Sequence, residues 1–230
     1  MRVAIVENTE VTHHGQVGVA LHEAAAVINL HKPWRGEPLP GVEADALVVF
    51  GGEQSALSDD THPYLPGLAR LMADYTARGR PVLGICLGSQ VLARAFGAQN
   101  ILDATPEFGW TDVSLTDAGR TDPVLGALPT EFPIFQWHSD TFTIPRGATH
   151  LARSAGAASQ SFRIGRATYG MQFHFEASRA VVEDWSRRFP TLTDRMHPGW
   201  DAARPTLARD RGAVADALGL TIARKWVGLI

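Results

Sequence analysis

Residues 81–90 read Pro-Val-Leu-Gly-Ile-Cys-Leu-Gly-Ser-Gln, and the fold turns on how this stretch is read. Pro81–Ile85 is a short apolar run of the kind buried on both faces of a parallel sheet. Beyond Cys86 the pattern becomes helical over Ser89–Phe96 and stops at Gly97. A strand that passes directly into a helix is the start of a βα unit. The turn between them has the form G-x-C-x-G, with Gly84 and Gly88 flanking Cys86. Glycines there let neighbouring backbone pass close by, and a nucleophile on such a turn is held in a strained conformation. The helix N-terminus directs free N–H groups and a partial positive charge at the sulfur, and thiolate is the reactive form. The N–H of Leu87 points into the same space and suits a developing oxyanion. By itself the pentapeptide also fits an inert thiol, because free cysteine is among the most buried residue types.

Outward from this turn, the N-terminal half repeats the same alternation. Arg2–Glu7, Ala25–Leu30 and Asp45–Phe50 are strand-like runs, and the last ends at Gly51-Gly52. His14–Glu23 and Leu65–Arg78 have helical periodicity, the second stopping at Gly79. This order predicts an α/β protein with a central, mostly parallel sheet and helices on both faces. The second half differs. Thr111–Thr116, Phe132–Trp137, Thr149–Ser154, Gln160–Ile164 and Thr168–Phe173 are strand candidates joined by short turns, which predicts an antiparallel extension and a return to the central sheet. Val181–Phe189 and Arg209–Ala217 are helix candidates, and Pro190–Pro205 reads as irregular. Trp200 and Trp226 point to packing in the tail, which is expected to cap the sheet edge or the mouth of the site.

The bulk properties narrow the function classes. A chain of 230 residues suits one well-filled α/β domain. At 45% hydrophobic and 20% charged residues it has the composition of a folded domain, so disorder is excluded as the default. The formal net charge of -3 argues against a nucleic-acid partner, which needs a positive surface. No uninterrupted apolar stretch is long enough for a membrane span. The N-terminus Met-Arg-Val-Ala-Ile-Val lacks the features of a secretory signal, and the single cysteine forbids an intramolecular disulfide. Together these predict a cytoplasmic setting.

A base for Cys86 is offered by Gln172-Phe173-His174-Phe175-Glu176. In extended chain, residues i and i+2 face the same side, so Glu176 is expected to bond one ring nitrogen of His174 and leave the other facing the thiol. Thiol, imidazole and carboxylate are the parts an activated nucleophile requires. Taken alone, His-x-Glu also fits a strand end followed by a helix cap. The remaining histidines show no metal-ligand spacing with the cysteine, and no metal or organic cofactor is expected.

Gly51-Gly52 after a strand, Gly84-Ile85-Cys86-Leu87-Gly88-Ser89-Gln90 and Gln172-Phe173-His174-Phe175-Glu176 occur in an order and at spacings that resemble the class I glutamine amidotransferase family. The stretch Phe135-Gln136-Trp137-His138-Ser139-Asp140 adds similarity to the glutaminase domain of GMP synthase. The resemblance covers roughly residues 1–190, taken as the catalytic domain, with 191–230 as an extension packed on it. It implies a flavodoxin-like architecture with a small antiparallel extension. It also implies a mechanism in which Cys86 attacks a glutamine side-chain amide, releases ammonia, forms a γ-glutamyl thioester and yields glutamate on hydrolysis. Gly52 and Leu87 are then the oxyanion hole, Gln90 and the loop His138-Ser139-Asp140 hold the substrate, and Asp140 suits its ammonium. The family often has proline after the paired glycines and between the histidine and glutamate. This chain has Glu53 and Phe175 instead, and Glu53 brings a carboxylate to the substrate rim.

Three functions remain in competition. One is a glutaminase, with delivery of ammonia to a separate protein left open. Another is a γ-glutamyl peptide or amide hydrolase with the same triad. The third, of a different class, is a non-catalytic subunit that senses glutamine or binds a partner.

Overall fold

A computed structural model describes residues 1–230. The parallel half is built from β1 (Arg2–Val6), α1 (Gly15–Glu23), β2 (Val27–His31), β3 (Ala46–Val49), α2 (Leu65–Ala77), β4 (Val82–Ile85) and α3 (Leu87–Ala95). A short β5 (Asn100–Ile101) leads to β6 (Glu107–Leu115), α4 (Asp117–Arg120), β7 (Glu131–His138), β8 (Thr141–Phe142), β9 (Thr149–Ser154), β10 (Ser161–Ile164) and β11 (Thr168–Met171). The chain ends in helices α5 (Arg179–Arg188), α6 (Pro190–Met196), α7 (Trp200–Leu207) and α8 (Ala213–Val227).

One nine-stranded sheet runs in the order β2-β1-β3-β4-β11-β10-β9-β6-β7, and β5 pairs with β8 in a separate two-stranded ribbon. Pairing is parallel from β2 through β11 and antiparallel from there to β7. The expected α/β class, mostly parallel centre and antiparallel extension are all present, and β11 makes the expected return by pairing in parallel with β4.

The continuous apolar runs follow from burial on both faces. Along β1, Val3 and Ile5 enter one core with α1 and α8, while Ala4 and Val6 enter a second core with α2 and α3. Alternation sends consecutive side chains to opposite faces, so a strand covered on both sides has no polar position. The second strand departs from this. It is the sheet edge, and its Val27, Ile28 and Leu30 are exposed.

The tail corrects two sequence expectations. Pro190–Pro205 is not irregular but contains α6 and most of α7. Pro190 opens α6 at a position where a missing N–H removes no helical bond. Pro205 lies inside α7, just before a π-helical turn at Ala208–Gly212, a local widening that tolerates a break in the ladder. The helix expected over Arg209–Ala217 instead runs Ala213–Val227 straight through Gly219. There a Cβ would come within 2.1 Å of the Phe175 carbonyl oxygen, so glycine lets α8 lie against the backbone between His174 and Glu176. Trp200 and Trp226 are fully buried in the core shared with β1 and α1. No helix is long and apolar enough to cross a membrane.

Candidate active site

The carboxyl ends of the central strands open into a cleft of about 730 Å³. Cys86 sits between the end of β4 and the start of α3, with φ 50° and ψ -112°. A non-glycine residue there stores about 1–3 kcal/mol of backbone strain. The surroundings hold it in place. The Cys86 N–H donates to the Met171 carbonyl at 2.8 Å, and the Cys86 carbonyl accepts from the N–H groups of Ser89 and Gln90. Both flanking glycines are required by close approach. A Cβ at Gly84 would lie 2.4 Å from the Gly88 oxygen, and one at Gly88 would lie 2.1 Å from the Val49 oxygen on β3.

His174 and Glu176 do meet, with Nδ1 2.7 Å from Oε1. The route differs from the sequence expectation. The extended run of β11 stops at Met171, residues 172–173 form a bend, and the Ala177 N–H donates back to the His174 carbonyl across a turn. A turn centred on Phe175, rather than strand alternation, brings the side chains together, and no proline is needed. A single bridge to Phe135 anchors the start of this turn. Its far end is pinned by α1, where the Gln16 N–H donates to the Glu176 carbonyl at 3.0 Å. Gly15, at φ 46°, allows that contact, since a Cβ there would be 1.8 Å from the same oxygen.

Away from Glu176 the imidazole lies beside Cys86: a Cβ on Gly51 would touch both His174 Cε1 and Cys86 Cβ, and the nearby sulfur favours a charged ring. Burial alone would discourage a charge on this ring. Glu176 and the Cys86 sulfur outweigh it and hold the His174 pKa well above the usual histidine value. A ring kept charged between a carboxylate and a sulfur is poised to give a proton to whatever leaves a carbonyl at Cys86.

Gly51 and Gly52 follow β3 and line the same cleft. A Cβ on Gly51 would be 3.3 Å from His174 Cε1 and 3.4 Å from Cys86 Cβ. Leu87 is the first residue of α3, where backbone N–H groups lack intrahelical partners. The segment after Gly52 is tied down by polar side chains that the sequence does not single out. Gln54 donates to the Tyr64 hydroxyl at 2.6 Å and to the Asn8 carbonyl at 3.1 Å. Tyr64 donates to Asn8 Oδ1 at 3.1 Å, and Asn8 donates to the Phe50 carbonyl at 2.7 Å. Burial, only partly offset by the Gln54 bond, pushes the Tyr64 hydroxyl up to about 12 and keeps it a neutral donor. Glu53 lies exposed on the rim, accepting from Thr9 at 3.2 Å.

The expected substrate-holding residues also line this cleft. Gln90 is buried, its amide donating to Gln172 Oε1 at 3.1 Å and to the Asp140 carbonyl at 3.4 Å. His138 Nδ1 is 3.0 Å from the Asp140 carbonyl, and its Nε2 is 3.2 Å from Glu107, an ion-pair distance without a well-formed hydrogen bond. Burial raises the Glu107 carboxyl, but His138, Ser154 and Gln160 outweigh that and hold it below its ordinary value. Asp140 accepts the Asp103 N–H at 2.9 Å, and the Ser139 carbonyl accepts from Thr105. His138 thus braces the loop through a buried carboxylate that no local signal around Glu107 announces.

The wall beside His174 is aromatic. Trp185 packs edge-on against the His174 ring at 5.3 Å, Trp137 against Trp185 at 5.8 Å, and Phe189 against Trp137 at 5.9 Å. The Trp137 carbonyl lies 3.8 Å from the Cys86 sulfur. Leu192, Arg195 and Met196 of α6 continue the wall to the mouth. Trp137 lies on β7 beside His138, within the stretch already singled out, but Trp185, Phe189 and the α6 residues come from the helices that follow Glu176, and their proximity in space reveals them.

Comparison with known proteins assigns the chain to a family. The family model described as "Glutamine amidotransferase class-I" matches residues 13–183. The chain is 32% identical over 188 residues to the glutamine amidotransferase-like protein YfeJ of Salmonella typhimurium, covering 80% of this chain and 79% of that one. It is 35% identical over 156 residues to the glutamine-hydrolyzing GMP synthase of Aeropyrum pernix, covering 65% of this chain but only 28% of that enzyme. A glutamine amidotransferase from Thermotoga maritima has a similar structure, with a TM-score of 0.87 and 26% identity over 99% of this chain and 98% of that one. With its fold, its strained cysteine turn and these matches in agreement, the chain belongs to the class I glutamine amidotransferase family.

Proposed function

We propose that this chain hydrolyses a γ-glutamyl amide, with glutamine as its simplest substrate. Cys86 sulfur attacks the amide carbon, and the oxyanion is held by the N–H groups of Gly52 and Leu87. His174 gives its proton to the nitrogen as the C–N bond breaks, leaving a γ-glutamyl thioester and free ammonia. Water then adds to the thioester, passing a proton to His174, and glutamate leaves as the sulfur is regenerated. Glu176 fixes the tautomer and stabilises the charged ring. Gln90 and the His138-Ser139-Asp140 loop take the acyl half.

The observation that carries this reading is the buried His174–Glu176 pair facing a strained cysteine at a helix N-terminus. The need for a reduced thiol fits a cytoplasmic setting. Residues 191–230 belong to the same catalytic unit on this reading, because they supply part of the cleft wall. The ammonia passes to a separate acceptor protein or to solvent.

The test is ammonia release from glutamine by the wild-type chain and by C86A, together with labelling by a glutamine-like chloroketone. Ammonia release and labelling that both require Cys86 are the expected result. A chain that neither releases ammonia nor becomes labelled at Cys86 overturns the reading in favour of a sensor or binding subunit.

A further inference from the structure

We infer that the preferred substrate is not free glutamine but a γ-glutamyl dipeptide whose second residue is aromatic or large and aliphatic. The inference rests on the amidase reading above and concerns its leaving group. In that reaction the departing nitrogen takes its proton from the ring nitrogen of His174 that faces Cys86, because the other is bound to Glu176. Whatever is attached to that nitrogen therefore lies beside His174.

Ammonia needs no space there, yet the structure provides a wall. Trp185 packs on His174, and Trp137 and Phe189 extend the apolar surface outward. Leu192 and Met196 of α6 complete it, and Trp137, Phe189, Leu192 and Met196 are all only half-buried, so their surfaces are available to a ligand. At about 730 Å³ the cleft is in the range used for drug-sized ligands and much larger than glutamine requires. Arg195 stands exposed at the mouth on the same helix and takes part in no ion pair or side-chain hydrogen bond, although most arginines of the chain do. A cation at the far end of an apolar wall suits the α-carboxylate of an amino-acid leaving group.

The chemistry balances with water alone. The bond from Cys86 sulfur to the γ-carbonyl carbon forms as the C–N bond breaks, and the amino acid leaves with the His174 proton. Water then cleaves the thioester, so γ-glutamyl-phenylalanine plus water becomes glutamate plus phenylalanine.

The experiment compares kcat/KM for γ-glutamyl-phenylalanine, γ-glutamyl-glycine and glutamine, using the full chain and C86A. Burying a benzyl group against this wall is expected to raise kcat/KM about tenfold to a hundredfold over γ-glutamyl-glycine. L192S is expected to lower the value for γ-glutamyl-phenylalanine more than that for γ-glutamyl-glycine, reducing their ratio several-fold. Cys86-dependent ammonia release from glutamine with no preference for γ-glutamyl-phenylalanine overturns the inference and leaves the amidase reading intact. Failure on all three substrates overturns the inference as well. Labelling of Cys86 by a glutamine-like chloroketone then tells whether the amidase reading has failed with it.

Discussion

Nδ1 of His174 and Oε1 of Glu176 lie 2.7 Å apart across a turn, with both side chains buried and Phe175 between them. That contact fixes the direction of a pH effect. Burial opposes charge on the ring, but Glu176 and the Cys86 sulfur hold its pKa well above the histidine norm. The alkaline limb of kcat/KM, where the ring loses its proton, is therefore expected well above the usual histidine value of about 6.5. E176Q removes the negative charge, so the imidazolium loses a partner and the limb moves to lower pH, with kcat reduced at least about tenfold. Rate profiles and the ring's NMR titration measure both. An unmoved limb in E176Q would show that another group keeps the ring charged.

The same shift bears on stability. A histidine whose folded pKa is raised contributes stability that is fully present below its unfolded pKa and is lost as pH rises through the folded value. Denaturant unfolding of the wild type between neutral and alkaline pH should show this loss, and H174A should lack that component.

Glu107 and Glu7 work in the opposite direction. At each, burial raises the carboxyl, but the partners outweigh it: His138, Ser154 and Gln160 at Glu107, and His14 and Lys32 at Glu7. Carboxyls with depressed folded pKa values contribute stability above the unfolded value of about 4.3 and lose it as pH falls through the folded one. E107Q is expected to flatten the acid side of the stability–pH curve, as read by urea midpoints at acid and neutral pH. Because Glu107 also braces His138, KM should rise more than kcat falls.

Tyr64 is expected to act on Gly52 at a distance. Y64F removes the hydroxyl that joins Gln54 to Asn8 and leaves both amides short of a partner. The loss is about 1–2 kcal/mol, divided between stability and the transition state. On the proposed mechanism the oxyanion forms only after substrate has bound, so in kinetics this should appear as a several-fold fall in kcat with KM little changed. A change confined to KM would assign the network to substrate binding instead.

Gly15 offers a structural test of the turn that carries His174 and Glu176. G15A sets a methyl against the Glu176 carbonyl at a positive φ, so α1 must move or the turn must open. A loss of about 2 kcal/mol or more is expected, from left-handed strain together with the clash. Activity should fall further than stability explains at temperatures where the chain remains folded.

The sequence by itself determined the parallel half of the sheet and pointed to the cysteine, histidine and glutamate that the structure gathers at the cleft. Strands buried on both faces must be apolar without interruption, and a cysteine turn flanked by glycines leaves a mark within ten residues. Both signals are local, and so is the pairing of His174 with Glu176, although the turn that joins them was not legible because Phe175 carries no turn signature. What only the tertiary structure decided came from distant segments. Prolines made Pro190–Pro205 read as irregular, when one opens a helix and another sits beside a π-helical turn. Glu107 under His138, Tyr64 behind Gly52, and the wall of Trp137, Trp185 and Phe189 are brought to the cleft by strand order and helix packing. A side chain's role there depends on what lies across the cleft, and no spacing along the chain encodes that.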